Sequence, residues 1–307
     1  MIFNKETFDK IKNLSNEDKL QIIGDKQKEP YSNNKYASNM MLNPLKLDHI
    51  NRIDNLDAHM ITLNLEDAIA ASRKKEALIN IALFLSNCEK SNSFIIVRTN
   101  PIDEGGLEEI EFLNKFSFDA IRVSKIKTKD DIQKALDVLS EDKELHISLE
   151  TKEAFNDLAN LRIDPRFTTA NIGILDLLNS LGLPQSLVVQ NNPTIDYILS
   201  KFLVDCKIAG IRPISFMYQE YKNTDQFKVW CQREKLMGFK SKACMGPAQV
   251  KIANEIFEIE EDQIIRAKHI KEVFEKNAKI GENGFMDEKY GFIDEPIYKD
   301  ALLVLEN

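Results

Sequence analysis

His146–Phe155, HISLETKEAF, and Asn171–Gly182, NIGILDLLNSLG, decide how this chain reads. Each couples a short apolar run, Leu145–Leu149 or Ala170–Leu175, to the acid that ends it, Glu150 or Asp176. A helical stretch, Glu153–Leu161, lies between them. A strand, a helix and two turns take about that length in an α/β unit. The spacing predicts both acids at the carboxyl ends of neighbouring parallel strands, the active face of a barrel built from such units. Two hard oxygen ligands one strand apart suit Mg²⁺, which takes one or two carboxylates and fills its other positions with water or substrate. Read singly, either acid could instead be a helix N-terminal residue complementing a dipole.

Outward from this pair, strand-like runs recur with the period of an α/β repeat. They are Ala37–Leu42, Met60–Leu65, Phe94–Val97 and Ala120–Val123 before it, and Ile211–Met217 and Lys242–Met245 after it. Amphipathic stretches such as Ser72–Phe84, Leu107–Leu113, Lys129–Leu139 and Asp225–Leu236 separate most of them. Apolar strands alternating with helices predict an α/β fold, a closed (β/α)8 TIM barrel. An open doubly wound sheet is the rival, but no GxGxxG follows the first strand. Just past successive strands stand Glu66–Asp67, Arg98–Thr99–Asn100, Lys125, Glu150 and Asp176. A rim of mixed acids and bases suits an anionic, metal-bound ligand.

The 307 residues, 43% of them hydrophobic, are ample for a large core. A net charge of −8 argues against a general nucleic-acid binder, so an anionic substrate needs local basic residues. Cys88, Cys206, Cys231 and Cys244 are scattered without a CxxC pair and read as reduced thiols of a cytoplasmic protein. Neither a signal peptide nor a membrane helix is expected. Residues 1–35, polar and lysine-rich, read as an N-terminal extension outside the core, with Ser15 placed to cap a short helix. Residues 36–280 read as the barrel domain. A long helix, Ile252–Asn277, with a break near Glu258–Asp262, closes it. Residues 281–307 form a C-terminal segment: the glycine-punctuated GENGFMDEKYGFID, then a final helix, Glu295–Leu305, apolar on one face.

Several segments, in order, resemble the citrate lyase β-subunit family and its malyl-CoA and citramalyl-CoA lyase relatives. LNLEDAIAASRKKEA resembles the family's Leu-Glu-Asp-Ala segment with a downstream lysine, here Lys74. IIVRTNP is similar to its arginine strand, and IRVSKI to its Pro-Lys strand, with Ser124 in place of the proline and Lys125 retained. SLETKEAF and IGILDLLNSLG resemble its two metal-ligand segments. GFKSKACMGPAQVKIANEIF and YGFIDEPIYKDA are similar to its last two landmarks. Departures are a first strand without arginine (ASNMMLNPLKL), Met245–Gly246–Pro247 for Ile-His-Pro, Ser215 for an aspartate, and Lys152 for a proline.

The resemblance implies a β/α barrel assembled as a homotrimer, whose C-terminal helical extension packs on a neighbouring subunit. It implies Mg²⁺ held by Glu150 and Asp176, and carbon–carbon bond chemistry next to a thioester of CoA or of an acyl carrier. Arg98 would then stabilise the thioester enolate, and Asp294 would be general acid/base in the adjacent subunit's site. Glu66, Asp67 and Lys125 would line the substrate. By the residues alone, Asp294 before Glu295–Pro296 reads as a helix cap, and Arg98 could simply pair with Glu66 or Asp67. A class II aldolase acting on free 2-oxo acids and a noncatalytic binding subunit are the competing functions.

Overall fold

The computed structural model describes residues 1–305. Eight strands run in parallel: β1 Ser38–Leu42, β2 Met60–Asn64, β3 Phe94–Arg98, β4 Ala120–Val123, β5 Glu144–Leu149, β6 Phe167–Ile172, β7 Arg212–Ile214 and β8 Lys242–Cys244. They neighbour one another in the order β7-β6-β5-β4-β3-β2-β1-β8, and a Ser215–Lys242 bridge joins the two ends. This is the expected (β/α)8 barrel. All five residues of β2 and all five of β3 are buried, as strands covered on both faces must be.

Helix termini follow their sequence signals. Thr128 and Asp131 form a capping box on Lys129–Val138. Asn192 caps Pro193–Ala209, with proline in the first turn and Gly210 in a left-handed conformation at the end. That 17-residue helix is absent from the stretches picked out by amphipathicity. The apolar run Ala170–Leu175 divides: β6 stops at Ile172, and Leu175 and Asp176 already belong to helix Ile174–Ser180. Periodicity cannot separate strand from buried helix in so short a run.

The N-terminal stretch does not stand outside the core. Phe8 and Ile11 are buried in it, beside Phe84 for the first of them. Lys28 pairs with Asp119 at 3.0 Å, and Tyr31 and Tyr36 pack on Phe94 over a small cluster of barrel side chains, Met60, Ile96, Ala120, Ile214 and Ala243. Ser15 caps Asn16–Gln21 as expected. Lysine stems cover apolar surface while their ammonium groups find partners, which a composition reading scores as solvent-facing.

Two compact units emerge, Met1–Phe257 and Glu258–Asn307. The long helix expected to close the barrel is interrupted, and its second part, Glu261–Ala278, falls in the smaller unit. There it joins an antiparallel hairpin, β9 Gly284–Asp287 and β10 Gly291–Asp294, and the helix Glu295–Leu305. Ala267, Ile270, Phe274, Ile293 and Ala301 make that unit's own core. Among the described residues, no helix is long and apolar enough to cross a membrane. All four cysteines are free and buried.

Candidate active site

The barrel delivers side chains from four successive strand ends to one cluster. Arg98 is the last residue of β3 and only 5% exposed. Its Nη2 lies 2.7 Å from Glu150 Oε1, 3.0 Å from Glu66 Oε2 and 3.7 Å from Asp67 Oδ2. Its Nε donates to Ser124 Oγ at 3.0 Å, and that hydroxyl donates to the Thr99 carbonyl at 2.9 Å. The guanidinium is therefore held by two buried carboxylates and a hydroxyl in one fixed fork, a geometry lysine cannot copy. Ser124, noticed in the sequence only as a departure, turns out to orient Arg98.

Lys125 pairs with Glu66 Oε1 at 3.0 Å, and its backbone N–H donates to Glu150 Oε2 at 3.3 Å. Its φ of 53° lies in the left-handed region, which costs a residue with a β-carbon about 1 kcal/mol. Ala68, just past Glu66–Asp67, is also left-handed, at φ 71°. Strain beside the cluster is a mark of sites whose surroundings over-determine them. Lys74 reaches the same rim, where it donates to the side chain of Asn100.

Glu150 follows β5 directly and is 5% exposed. Asp176 sits four residues past β6, in the first turn of its helix, and is exposed. Burial pushes the Glu150 carboxyl up; Arg98 pulls it back, and the negative charges of Glu66 and Asp176 push it further up. Burial alone would also raise Glu66, but Asp67, Arg98 and Lys125 hold it at about 2. Partial burial and the adjoining Glu66 push Asp67 up to about 7. Lys125 is raised by its hydrogen bond to Glu66.

One buried residue of this cluster escaped the sequence reading. Arg122 lies inside β4, directly opposite Arg98 in the ladder, and is 3% exposed. Its Nη1 donates to Asn171 Oδ1 at 3.0 Å, while its Nε has no hydrogen-bond partner among the described residues. Burial, then Arg98, lowers it to about 9. A basic residue in the middle of an apolar strand is the signal that could have exposed it.

Asp294, in the smaller unit, accepts from the Ile297 N–H at 3.2 Å and so caps Glu295–Leu305. The cap and the catalytic role proposed below are compatible, since one carboxylate oxygen does the capping.

No group of three or more His, Cys, Asp or Glu side chains able to hold a metal occurs among the described residues. Mg²⁺ needs only one or two carboxylates, with water or substrate in its other positions. The pair Glu150 and Asp176 fits on charge: the negative charge of Asp176 pushes the Glu150 carboxyl up, and a cation held there would relieve it.

A profile of the HpcH/HpaI aldolase/citrate lyase family matches residues 42–247. The chain belongs to that family. The matched region spans β2 to β8 and contains every member of the buried cluster. Among characterised relatives, a (3S)-malyl-CoA thioesterase of Cereibacter sphaeroides is 27% identical over 237 residues, 76% of this chain and 81% of that protein. A citrate lyase subunit beta of Haemophilus influenzae is 26% identical over 266 residues, 80% of this chain and 87% of that protein. Among solved structures, the protein CitE of Mycobacterium tuberculosis, in complex with magnesium, acetoacetate and coenzyme A, matches with a TM-score of 0.66 at 16% identity. That match covers 89% of this chain and 97% of the other.

Proposed function

We propose that this HpcH/HpaI family member is a Mg²⁺-dependent carbon–carbon lyase. Its substrate is a 3-hydroxyacyl thioester of the citryl, malyl or citramalyl type, carried on CoA or on an acyl carrier. The products are an acetyl thioester and a keto acid. The observation that carries the reading is Arg98, fixed between Glu66 and Glu150 at the carboxyl end of the barrel. Mg²⁺ held by Glu150 and Asp176 would supply Lewis-acid polarisation of the hydroxy-acid end of the substrate.

The chain's own groups divide the remaining work. Asp294, provided by a neighbouring copy, takes the proton of the hydroxyl group. The carbon–carbon bond breaks, its electron pair passes to the thioester α-carbon, and the hydroxyl carbon becomes the keto carbon. Arg98 stabilises the resulting enolate oxygen with preorganised charge. The enolate carbon then takes that proton from Asp294, which returns the carboxylate to its starting state. Lys125 and the Glu66–Asp67 pair keep Arg98 and the acid end in register.

The assembly we propose is a cyclic homotrimer in the cytoplasm. Met286 and Phe292 support it: cross-strand partners on the β9–β10 hairpin, they are 75% and 58% exposed. Paired large apolar side chains at such exposure suit burial by a second copy. The free buried cysteines suit a reducing compartment.

The test is a panel of malyl-, citramalyl- and citryl-CoA with Mg²⁺ or with chelator. Release of keto acid and acyl thioester, abolished by chelator, is the expected result. The similarity to a thioesterase favours a second reading, hydrolysis, which would instead release free thiol and the intact hydroxy acid. A folded protein that converts none of the three acyl groups, as CoA esters or as acyl-carrier thioesters, would overturn both.

A further inference from the structure

A buried arginine without a carboxylate is an expensive thing for a barrel to keep. Arg122 has no ion-pair partner within 4.0 Å among the described residues. An uncompensated buried charge is strongly destabilising, so some neighbour must compensate it at longer range. The acids that act most on it are Glu150 and Glu66, and each directs one oxygen at Arg98 and the other at Lys125 instead. The deeply buried part of the cluster thus holds two carboxylates, Glu66 and Glu150, and two guanidiniums, Arg98 and Arg122.

Arg122 is also fixed in place. Asn171 Oδ1, which accepts from Arg122, accepts as well from Asn39 Nδ2 at 3.2 Å, and Asn39 Oδ1 accepts from Thr62 Oγ1 at 2.8 Å. This chain of bonds crosses the barrel through β4, β6, β1 and β2. The guanidinium cannot swing up to join the carboxylates without breaking it. A fixed charge beside Arg98 that touches neither carboxylate acts on them only through its field.

We propose that Arg122 is a positioning residue that sets the charge balance of the site: it weakens the hold of Glu150 on a divalent cation and strengthens the hold on the anionic oxygens of the substrate. The inference rests on the functional reading above and goes beyond it. Its signature is a pair of opposite effects. Damage to the fold would weaken both kinds of binding together, whereas loss of one positive charge must tighten one and loosen the other.

The experiment uses the full chain and isothermal titration calorimetry, first with Mg²⁺ alone, then with oxaloacetate at saturating Mg²⁺. Arg122→Gln keeps a donor toward Asn171 and removes the charge; Arg122→Met removes both; Arg122→Lys keeps the charge. For the two neutral variants, Mg²⁺ should bind more tightly and oxaloacetate more weakly. Each change should be on the order of tenfold, the scale of one charge several ångströms away inside a protein. Arg122→Lys should stay close to wild type on both, and it carries the test if the neutral variants do not fold; loss of both affinities in a folded Arg122→Lys overturns the proposal. So does Mg²⁺ affinity that is unchanged or weakened in Arg122→Gln. If the wild-type protein binds no Mg²⁺, the functional reading fails and takes this inference with it. Wild-type binding with unaltered variants refutes this inference alone.

Discussion

Glu150 occupies the space that a side chain on Gly173 would need. A β-carbon built on Gly173 would stand 2.5 Å from Glu150 Cγ and 2.9 Å from its Oε1. The glycine that opens the helix after β6 thus makes room for the carboxylate that ends β5. Its φ of −89° is open to any residue, so the constraint is one of space and not of backbone conformation.

Gly173→Ala should therefore act on the site and hardly on the fold. Glu150 must rotate away, leaving Arg98 and the cation with one well-placed acid fewer. Mg²⁺ affinity should drop on the order of tenfold or more, as for changes behind a metal ligand. Melting should move by only about 2–4 °C. Unaltered Mg²⁺ binding in this variant would show that Glu150 does not hold the ion.

Arg98→Lys keeps the charge and loses the fork. An ammonium cannot donate to Ser124 and span Glu66 and Glu150 as the guanidinium does. Turnover should fall on the order of a hundredfold, the scale for one lost oxyanion donor. Mg²⁺ binding should stay near wild type. Full activity across the thioester panel would make Arg98 structural.

Asp294→Asn separates a base from a cap. Asparagine still accepts from the Ile297 N–H, so melting should change by at most about 1 kcal/mol in stability. Oligomeric state and Mg²⁺ affinity should also hold. Turnover should fall on the order of a hundredfold or more if Asp294 moves the proton. An active variant would leave the residue with its capping bond and nothing else.

Asp67 gives the metal-free protein a pH signature. Its carboxyl is pushed up to about 7, so between the ordinary carboxylate range near 4 and that value the folded state holds a proton the unfolded chain has lost. Stability from this group is therefore full below that window and declines as pH rises through it. Glu66, held at about 2, acts in the opposite sense, but its contribution is complete above about pH 4.5. Between about pH 4.5 and 7 the wild type should lose melting temperature relative to Asp67→Asn. The amplitude is reduced by solvent, because the Asp67 side chain is 57% exposed. Parallel melting curves over that interval would contradict a raised Asp67 carboxyl.

The barrel was legible because its strands are apolar on both faces and regularly spaced; β3, expected as Phe94–Val97, is Phe94–Arg98. The meeting of Glu66, Arg98, Lys125 and Glu150 was legible for the same reason, since counting past strand ends finds rim residues. Arg122 was not, because it points into the barrel from within a strand. Asp176 was assigned to the end of a strand that had already turned into a helix. Phe8 and Ile11 were masked by lysines, and the β9–β10 hairpin by its glycines, which argue for a turn more than for two four-residue strands.

The barrel is a ring with a clasp. Seven of its joints are laced by backbone ladders. The eighth, between β7 and β8, rests on the Ser215–Lys242 bridge. Behind it, Lys242 Nζ lies 2.6 Å from Glu234 Oε1, with both side chains fully buried. The same ammonium donates to the Phe216 carbonyl just past β7 at 3.0 Å, so one buried charge, which would cost about 3–5 kcal/mol to leave without Glu234, also bridges this joint. Neither β7 nor β8 carries any of the charged residues assigned to the rim. The fastening of the ring thus lies away from the four strand ends, β2 to β5, that bring Glu66, Arg98, Lys125 and Glu150 together.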